Sequence, residues 1–310
     1  MSFKSIAIKL LTLKPPMYVN SIVLNALGMQ SFRTFYFYLR RILRIPKSIS
    51  ATYLEYLKIL KRDGIVIIPD FFPDDVYAQI QDEYEKLSPE FIRDDSEIPI
   101  PHVNRLSIHD KKVSDQFREY FLKDPLIQTL PRAFLNRNYN LPITAHLVRI
   151  FCNKEEITLP SYGGTNNLHF DAPLRVLKAF YYVTDTNERN AALQYCAGSP
   201  KRNSLKRLFF EYKLSVRYML NRWNPNHHGE YVDNEPWVKI TDDEMQKQGL
   251  QEKVVSVKGN TMVFVDTGGF HRRGIFTEAG VRKTVEFNYR SAESFRNDLY
   301  PLERKIRALV

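Results

Sequence analysis

Seven short segments between residues 143 and 291 are rich in β-branched and aromatic residues and are separated by glycine and proline. Such residues favour half-buried, pleated strands. A series of short strands with turn residues between them is typical of a sandwich, a barrel or a jelly roll. The sequence therefore predicts a mainly β fold with flanking helices, of the α+β class. The segments span residues 143–152, 167–173, 174–185, 192–196, 253–258, 260–267 and 282–291.

Helical patterns precede this series. Residues 60–87 read as a helix end, a turn at Gly64, a short apolar strand over 65–69 and a new helix that opens at Pro73. Acidic residues follow Pro73 and suit the positive end of a helix. From there to about residue 140 the pattern is mixed and mostly helical.

Residues 203–250 interrupt the strand series with a polar and aromatic pattern that predicts helix. A long insertion between core strands is usually a lid or a binding loop. We therefore expect residues 51–310 to form one domain with a lid-like insertion at about 203–250.

The positive charge of the chain is concentrated at its start. The formal net charge is +10, and residues 1–50 contain eight lysines and arginines and no acidic residue. The rest of the chain is nearly balanced, with 37 basic and 35 acidic residues. Composition therefore gives no support to nucleic-acid binding by the main body, and we expect no nucleic-acid partner.

Residues 1–50 read as helical pieces broken at Pro15-Pro16 and Pro46, with aromatics and arginines interleaved over 31–44. Three interpretations stay open. The segment is a helix packed on the domain, an interfacial membrane helix or substrate lid, or a transit peptide. If it contacts a membrane, its charge favours anionic lipid.

Cysteine usage and hydropathy bear on localisation. Cys152 and Cys196 have no Cys-x-x-Cys spacing and offer no disulfide framework, which favours a reducing compartment and core thiols. The longest apolar runs are shorter than the span of about 20 residues that crosses a bilayer. No signal-peptide pattern opens the chain. We therefore expect a cytoplasmic protein, with peripheral membrane contact through residues 1–50 as an open alternative.

His169 and Asp171 lie two positions apart in the stretch NNLHFDAP. On a strand, residues i and i+2 point to the same face, so both side chains could bind one ion while Phe170 packs behind them. A His-x-Asp triplet alone often arises by chance, and two polar residues near a strand end are the alternative. A metal site needs a further ligand.

His271 is the favoured further ligand because it follows a buried strand and the pair Gly268-Gly269 in GNTMVFVDTGGFHRRG. The strand would bring the imidazole to the end of the barrel, and the glycines would let the backbone approach closely. The remaining histidines lie in irregular or turn-rich stretches or lack such a context: His102, His109, His146, His227 and His228.

Two histidines and one carboxylate, with three open coordination positions, form the facial triad of non-haem Fe(II) oxygenases. Zinc more often takes a third histidine or a cysteine, and calcium takes several oxygens. Iron is therefore the favoured metal. Arg282 lies eleven residues after His271 and shares a strand face with Thr284, so that a guanidinium and a hydroxyl could hold a carboxylate inside the barrel.

These motifs together resemble the phytanoyl-CoA dioxygenase family of Fe(II)/2-oxoglutarate oxygenases. The resemblance runs from about residue 60 to 291 and is most specific over 167–200 and 258–291. It is carried by HFD, LKAFYYVTDTNERNAALQYCAGSPKR, GNTMVFVDTGGFHRRG and RKTVEFNYR, and by the opening RDGIVIIPDFFPDDV. The family's Pro-Gly-Ser-His turn is replaced here by Ala-Gly-Ser-Pro at 197–200.

The resemblance implies a double-stranded β-helix, the cupin-like jelly roll. It implies iron held by His169, Asp171 and His271, and 2-oxoglutarate whose distal carboxylate meets Arg282 with Thr284 alongside. The implied reaction uses O2 to hydroxylate a C–H bond of a small-molecule or lipid-like substrate, with release of succinate and CO2. Halogenases of the family lack the carboxylate ligand, so the presence of an aspartate indicates hydroxylation.

Lys178 is a further candidate for the cofactor pocket because it shares a strand face with Tyr182 after the His-x-Asp motif. A solvated strand end is the alternative for this lysine. Two other classes of function stay open: a cupin-like zinc or manganese enzyme such as an isomerase, and a non-catalytic protein whose basic start engages membranes.

Overall fold

The computed structural model describes most of the chain between residues 22 and 290. The described ranges are 22–32, 34–35, 49–93, 102–135, 143–157, 167–171, 176–201, 204–223 and 238–290. The predicted helix over 31–44 therefore lies mostly outside the described residues, as do His227 and His228.

The strands of the described residues form two antiparallel sheets. In chain order the strands are β1 (Ile65–Ile68), β2 (Ile92–Arg93), β3 (His102–Ser107), β4 (Ile143–Cys152), β5 (His169–Phe170), β6 (Val176–Tyr182), β7 (Leu193–Cys196), β8 (Val238–Lys239), β9 (Glu252–Val254), β10 (Thr261–Asp266), β11 (His271–Arg273) and β12 (Gly280–Arg290). The larger sheet has the order β1-β10-β6-β12-β4-β3-β2 and the smaller one β8-β5-β11-β7-β9. This is the mainly β, jelly-roll architecture that the sequence predicts.

Helices flank the two sheets. They are α1 (Ile22–Ala26), α2 (Ala51–Asp63), α3 (Asp74–Leu87), α4 (Asp115–Leu122), α5 (Pro125–Leu135), α6 (Leu205–Trp223) and α7 (Asp242–Lys247). Residues 29–32 and 34–35 are also helical. None of the helices that the structure describes combines the length and the apolar character needed to cross a bilayer.

The start of the main body follows its sequence signals. Helix α2 ends at Gly64, whose φ of 81° is a left-handed conformation that glycine adopts without steric cost. Strand β1 begins at the next residue. Helix α3 follows Pro73, and two aspartates occupy its first turn, where negative charge is favourable.

Alternation along the strands divides the larger sheet into an outer and an inner face. On its outer face Leu177, Ala179 and Tyr181 of β6 join a buried cluster with helices α2 to α5. On its inner face Tyr182 meets Tyr195 of the smaller sheet in a second cluster. The two sheets therefore face each other through their inner sides.

The described helices of the insertion lie on the outer face of the smaller sheet. Phe210 and Leu214 of α6 pack with Phe170 and Phe270 in one buried cluster. Because successive strand residues point to opposite faces, this is the face away from His169 and His271. Apolar side chains of α6 are buried there, so the helix supports the sheet from behind. A lid-like position stays a prediction for residues 224–237, which lie outside the described residues.

Helix α1, which belongs to the first 50 residues, packs on this same helix. The Tyr212 hydroxyl of α6 donates a hydrogen bond of 2.9 Å to the carbonyl of Ala26 in α1. Asn25, Gln30 and Thr34 are buried. For the helix predicted over 31–44, all three interpretations stay predictions.

Several strand predictions differ from the structure. Strand β3 was not predicted; it pairs with β4 over its full length although three of its six residues are basic or amide side chains. The segment predicted over 253–258 shortens to Glu252–Val254, and Val257 makes an isolated bridge to Thr186. Cys152 and Cys196 are buried free thiols, as predicted.

Candidate metal centre

His169 and His271 lie directly opposite each other on the paired strands β5 and β11. Their ring centroids are 4.4 Å apart. Asp171 follows β5. Its backbone N–H donates a hydrogen bond of 2.9 Å to the carbonyl of Thr267, which holds this residue beside the loop that joins β10 to β11. One ligand atom from each of the three residues lies within 4.8 Å of the others, and all three residues are buried.

Backbone carbonyls orient both imidazole rings. The Nδ1 atom of His169 lies 2.6 Å from the carbonyl oxygen of Asn167, and that of His271 lies 3.0 Å from the carbonyl oxygen of Gly269. A carbonyl oxygen only accepts, so each ring carries its proton on Nδ1 and presents the lone pair of Nε2. Such hydrogen bonds are typical of metal-ligating histidines.

The Nε2 atoms of both histidines point to one carboxylate oxygen. Asp171 Oδ1 lies 3.6 Å from Nε2 of His169 and 3.5 Å from Nε2 of His271. Two imidazole nitrogens and one carboxylate oxygen that converge in this way are the ligand set of non-haem Fe(II) oxygenases. The residues present therefore fit the metal that the sequence predicts.

Burial and charge hold His169 and Asp171 in the protonation states that metal binding requires. Burial, together with the neighbouring His271, lowers the pKa of His169, so this imidazole is neutral near pH 7. Burial by itself raises the pKa of Asp171, but Lys178 and the two histidines outweigh it and hold that pKa well below its usual value. The Nζ atom of Lys178 lies 2.7 Å from Asp171 Oδ2. Lys178 thus lies on the inner wall next to the metal ligands.

A layer behind the smaller sheet supports the two ligand-bearing strands. Phe170 and Phe270, each adjacent to a ligand histidine, have ring centroids 5.9 Å apart. The guanidinium carbon of Arg207 lies 3.9 Å from the centre of the Phe270 ring. Arg207 is also paired with Glu211 at 3.2 Å, and both residues are buried. The i, i+4 spacing of this pair is visible in the sequence, but its contact with Phe270 is not.

The glycine before Phe270 is required by close packing. A Cβ atom on Gly269 would lie 2.3 Å from the Tyr195 hydroxyl and 2.7 Å from Oγ of Ser199. The Ser199 hydroxyl accepts a hydrogen bond of 2.7 Å from the backbone N–H of Phe270. The turn at 197–200, which departs from the family pattern, therefore contacts the residue that precedes His271.

Arg282 and Thr284 are buried on the inner face of β12. Arg282 donates a hydrogen bond to the carbonyl of Ala191, and its Nε atom has no partner among the described residues. Burial raises the pKa of Tyr182 to about 12, and the nearby Arg282 guanidinium opposes that rise. A buried guanidinium with donor capacity to spare is suited to bind an anion.

Sequence reasoning missed a second polar group on the same inner wall. Arg105 of β3 lies 3.7 Å from Glu286 of β12, and Glu286 is opposite His146 of β4 in the register. The period of two that relates Arg282 to Thr284 also predicts Glu286 on that face. No such signal marks Arg105, because its strand is not apparent from the sequence.

The other described histidines have different surroundings. His102 lies on the outer face of β3, 2.6 Å from Oε1 of Glu156 and stacked on Phe151. His109 is exposed in a turn. Among the described residues, the group of side chains able to hold a metal is His169, Asp171 and His271.

A family model described as phytanoyl-CoA dioxygenase (PhyH) matches residues 60–263, which is more than half of the chain. The chain belongs to the phytanoyl-CoA dioxygenase family. No curated protein matches the sequence. Two solved structures of the epimerase SnoN are similar to this member of the family. The structure with Fe3+, alpha ketoglutarate and nogalamycin RO has 15% identity and a TM-score of 0.52, and covers 77% of this chain and 83% of that one.

The second structure, described as the non-heme alpha ketoglutarate dependent epimerase SnoN from nogalamycin biosynthesis, has 14% identity and a TM-score of 0.51. It covers 77% of this chain and 82% of that one. At this level of identity the likeness shows the fold alone. Family membership and the His-Asp-His site together make this phytanoyl-CoA dioxygenase family member a 2-oxoglutarate-dependent oxygenase, with iron and 2-oxoglutarate as its cofactors. The cupin-like isomerase and the non-catalytic protein are therefore disfavoured.

Proposed function

We propose that this oxygenase hydroxylates a C–H bond of a small-molecule or amphipathic substrate and releases succinate and CO2. The observation that carries the proposal is the convergence of His169, Asp171 and His271, with both Nε2 atoms oriented by backbone carbonyls. The carboxylate ligand supports hydroxylation over halogenation, because a halogenase keeps that coordination position free for chloride.

Iron and 2-oxoglutarate, when bound, supply the oxidising chemistry that uses O2 on an unactivated C–H bond. His169, Asp171 and His271 would hold the iron on one side. Lys178 holds Oδ2 of Asp171, so that Oδ1 remains directed at the two Nε2 atoms. We infer that the protein's part is to position the ligands and the substrate and to exclude water.

Arg282 and Thr284 would bind the distal carboxylate of 2-oxoglutarate. This role is supported by the burial of both side chains and by the unpartnered Nε of Arg282 among the described residues. The neighbouring side chains in the register, Ile150 and Val148 of β4, are buried and apolar, which keeps water from a charge pair at this place. A guanidinium pairs more strongly with a carboxylate in such surroundings.

The inner wall next to this site supports a substrate that carries polar groups. Glu286 is opposite Phe180 of β6, and the next inner-facing pair is Asn288 with Lys178. The half-buried pair of Arg105 and Glu286 lies on the same face. A wall lined with paired charges favours a ligand that forms hydrogen bonds over a purely hydrocarbon chain. Contact of residues 1–50 with an anionic membrane is a separate proposal, because this reaction does not require it.

The experiment compares His169→Ala, Asp171→Ala and His271→Ala with the exposed control His109→Ala. Protein purified without oxygen is reconstituted with Fe(II), and its iron content and succinate formation from 2-oxoglutarate are measured. We expect each of the three variants to lose bound iron and turnover, because two remaining ligands hold Fe(II) poorly. Normal iron content and succinate formation in any of them would refute the assignment.

A further inference from the structure

The inner face of the larger sheet is buried at one end and half-buried at the other. Arg282, Thr284 and Tyr182 are buried at the end proposed to hold 2-oxoglutarate. Farther along the same face, the inner-facing side chains of the described residues are partly exposed. We call six of these partly exposed residues the mouth: Arg105, His146, Lys178, Phe180, Glu286 and Asn288. A ligand can therefore enter the space between the two sheets at this end.

The mouth adjoins the candidate metal centre. Nζ of Lys178 lies 2.7 Å from Oδ2 of Asp171. Asn288 is directly opposite Lys178 in the register, and Glu286 is opposite Phe180, the next inner-facing residue of β6. Diagonal neighbours on one face of an antiparallel pair are about 7–8 Å apart, so Glu286 and Lys178 are neighbours of this kind. A molecule bound at Glu286 would therefore extend to the metal ligands.

Glu286 retains capacity to accept hydrogen bonds. Its Oε2 atom lies 3.7 Å from a guanidinium nitrogen of Arg105, and its Oε1 atom accepts a hydrogen bond of 3.4 Å from the Thr284 hydroxyl. Both distances exceed the length of about 2.7–2.9 Å that is usual for charge-assisted hydrogen bonds. A carboxylate with such long contacts can accept from a ligand, and the guanidinium beside it can donate to one.

The cations of the mouth are balanced by carboxylates. Arg105 faces Glu286, and Lys178 is paired with Asp171. The guanidinium of Arg282 is assigned to 2-oxoglutarate. A substrate with a carboxylate or phosphate at the mouth would be repelled by the like charge of Glu286. The described wall therefore favours an uncharged substrate over a fatty acid or a phosphorylated acyl carrier.

Phe180 gives the mouth an apolar surface beside these polar groups. It is opposite Glu286, and its ring centroid lies 6.5 Å from that of Tyr182. A pyranose ring has C–H groups on one face that pack on an aromatic ring, and its hydroxyls both donate and accept hydrogen bonds. A hydrocarbon chain would instead remove water from the polar groups of the mouth without replacing its hydrogen bonds.

We propose that the substrate carries an uncharged, polyhydroxylated ring, such as a pyranose, and that this ring binds at the mouth. The ring packs on Phe180, Glu286 accepts a hydrogen bond from one hydroxyl, and Arg105 donates to a neighbouring one. The inference rests on the proposed hydroxylation, for which it names the substrate class. These three residues thereby determine specificity.

Equilibrium dialysis tests the proposal on the full chain loaded with Fe(II) and 2-oxoglutarate and kept without oxygen. The probes are the methyl pyranosides of glucose, galactose and mannose, the fully O-methylated form of each, and decanoate. We expect at least one pyranoside to bind, and its O-methylated form and decanoate to bind at least tenfold more weakly. On addition of oxygen, the pyranoside that binds should increase the rate of succinate formation.

Matched variants separate recognition of the hydroxyls from general effects on the fold. Glu286→Gln and Arg105→Met should each weaken pyranoside binding about tenfold, because a hydrogen bond to a charged group is lost. Neither should change the weak binding of the O-methylated form, whereas a disturbed fold would weaken both. Arg189→Met and Glu278→Gln alter an exposed pair of the same residue types at 3.5 Å and should bind as the unmodified protein does. Bound iron measures folding, and if one mouth variant loses iron the other gives the same comparison.

Two results would overturn the proposal. One is that none of the three pyranosides binds to the unmodified, iron-loaded protein. The other is that decanoate binds more tightly than all three, which would assign the mouth to a hydrocarbon chain. Failure of the proposed reaction is distinguishable from both, because dialysis measures binding without turnover, whereas that proposal depends on iron content and succinate formation.

Discussion

Lys178 and Asp171 form an ion pair of 2.7 Å that joins the inner wall of the larger sheet to a ligand of the candidate metal centre. The carboxylate is buried, and the lysine is about a quarter exposed. Strand β6 carries Lys178 to this position because its inner face also bears Phe180 and Tyr182, whereas its outer face packs on helices. Together with the two histidines, the lysine keeps the carboxylate ionised, although burial by itself raises its pKa.

Replacing Lys178 with methionine should raise the pH at which the metal-free protein unfolds during acidification. The ionised Asp171 contributes stability above its unfolded pKa, and this contribution is lost as the pH falls through its depressed folded pKa, a window below about pH 4. Burial raises the pKa of Asp171 and Lys178 lowers it. Without the lysine this pKa is higher, so the carboxyl group protonates at a higher pH. Circular dichroism during acid titration measures the midpoint. Lys258→Met, which removes an exposed pair with Asp185, is the control, and equal midpoints for the two variants would contradict the prediction.

Replacing Arg282 with alanine should raise the 2-oxoglutarate concentration needed for half-maximal succinate formation while iron stays bound. Breaking a buried charge pair by removing one partner costs about 3–5 kcal/mol. Arg282→Lys should recover part of the affinity, because an ammonium lacks the two-pronged fork. Thr284→Val should have a smaller effect, of about 1 kcal/mol for one hydrogen bond. An unchanged requirement in the alanine variant would remove Arg282 from the co-substrate site.

Replacing Gly269 with alanine should destabilise the protein by about 1–3 kcal/mol, the usual cost of overpacking. The added Cβ would meet the Tyr195 hydroxyl and Ser199 Oγ, both held by hydrogen bonds. At Gly280 the nearest atom would be 3.9 Å away on Phe276, an ordinary contact, so Gly280→Ala is the matched control. Urea unfolding compares the two. Equal free energies of unfolding for the two variants would show that the structure around residue 269 accommodates the added Cβ atom without strain.

Replacing Arg207 with methionine should destabilise the protein by about 3–5 kcal/mol, because it breaks a buried ion pair by removing one of its two partners. The double variant Arg207→Met with Glu211→Leu should recover most of this loss. Lys247→Met, which removes an exposed i, i+4 pair with Asp243, should leave stability unchanged. Urea unfolding of the three variants measures their free energies of unfolding. A double variant no more stable than Arg207→Met would show that the contact of the guanidinium with Phe270 contributes more stability than its pairing with Glu211.

The sequence by itself determined the features that depend on neighbouring residues. Alternation of side chains predicts β10 and β12, and Gly64 and Pro73 mark the helix boundaries at α2 and α3. The His-x-Asp spacing places two ligands on one strand face, and a glycine pair before His271 indicates a close approach of the backbone. These signals are visible in sequence because backbone propensity and strand period act over a few residues.

Only the tertiary structure decided which distant segments meet. The pairing of β5 with β11 sets His271 opposite His169, although these strands are only two and three residues long. The position of α6 behind the smaller sheet follows from burial of Phe210 and Leu214, and its sequence pattern fits a lid equally well. Strand β3 is extended because its backbone pairs with that of β4. Its polar side chains do not predict a strand. Strand pairing and burial depend on residues that are distant in the sequence, so local sequence patterns do not predict them.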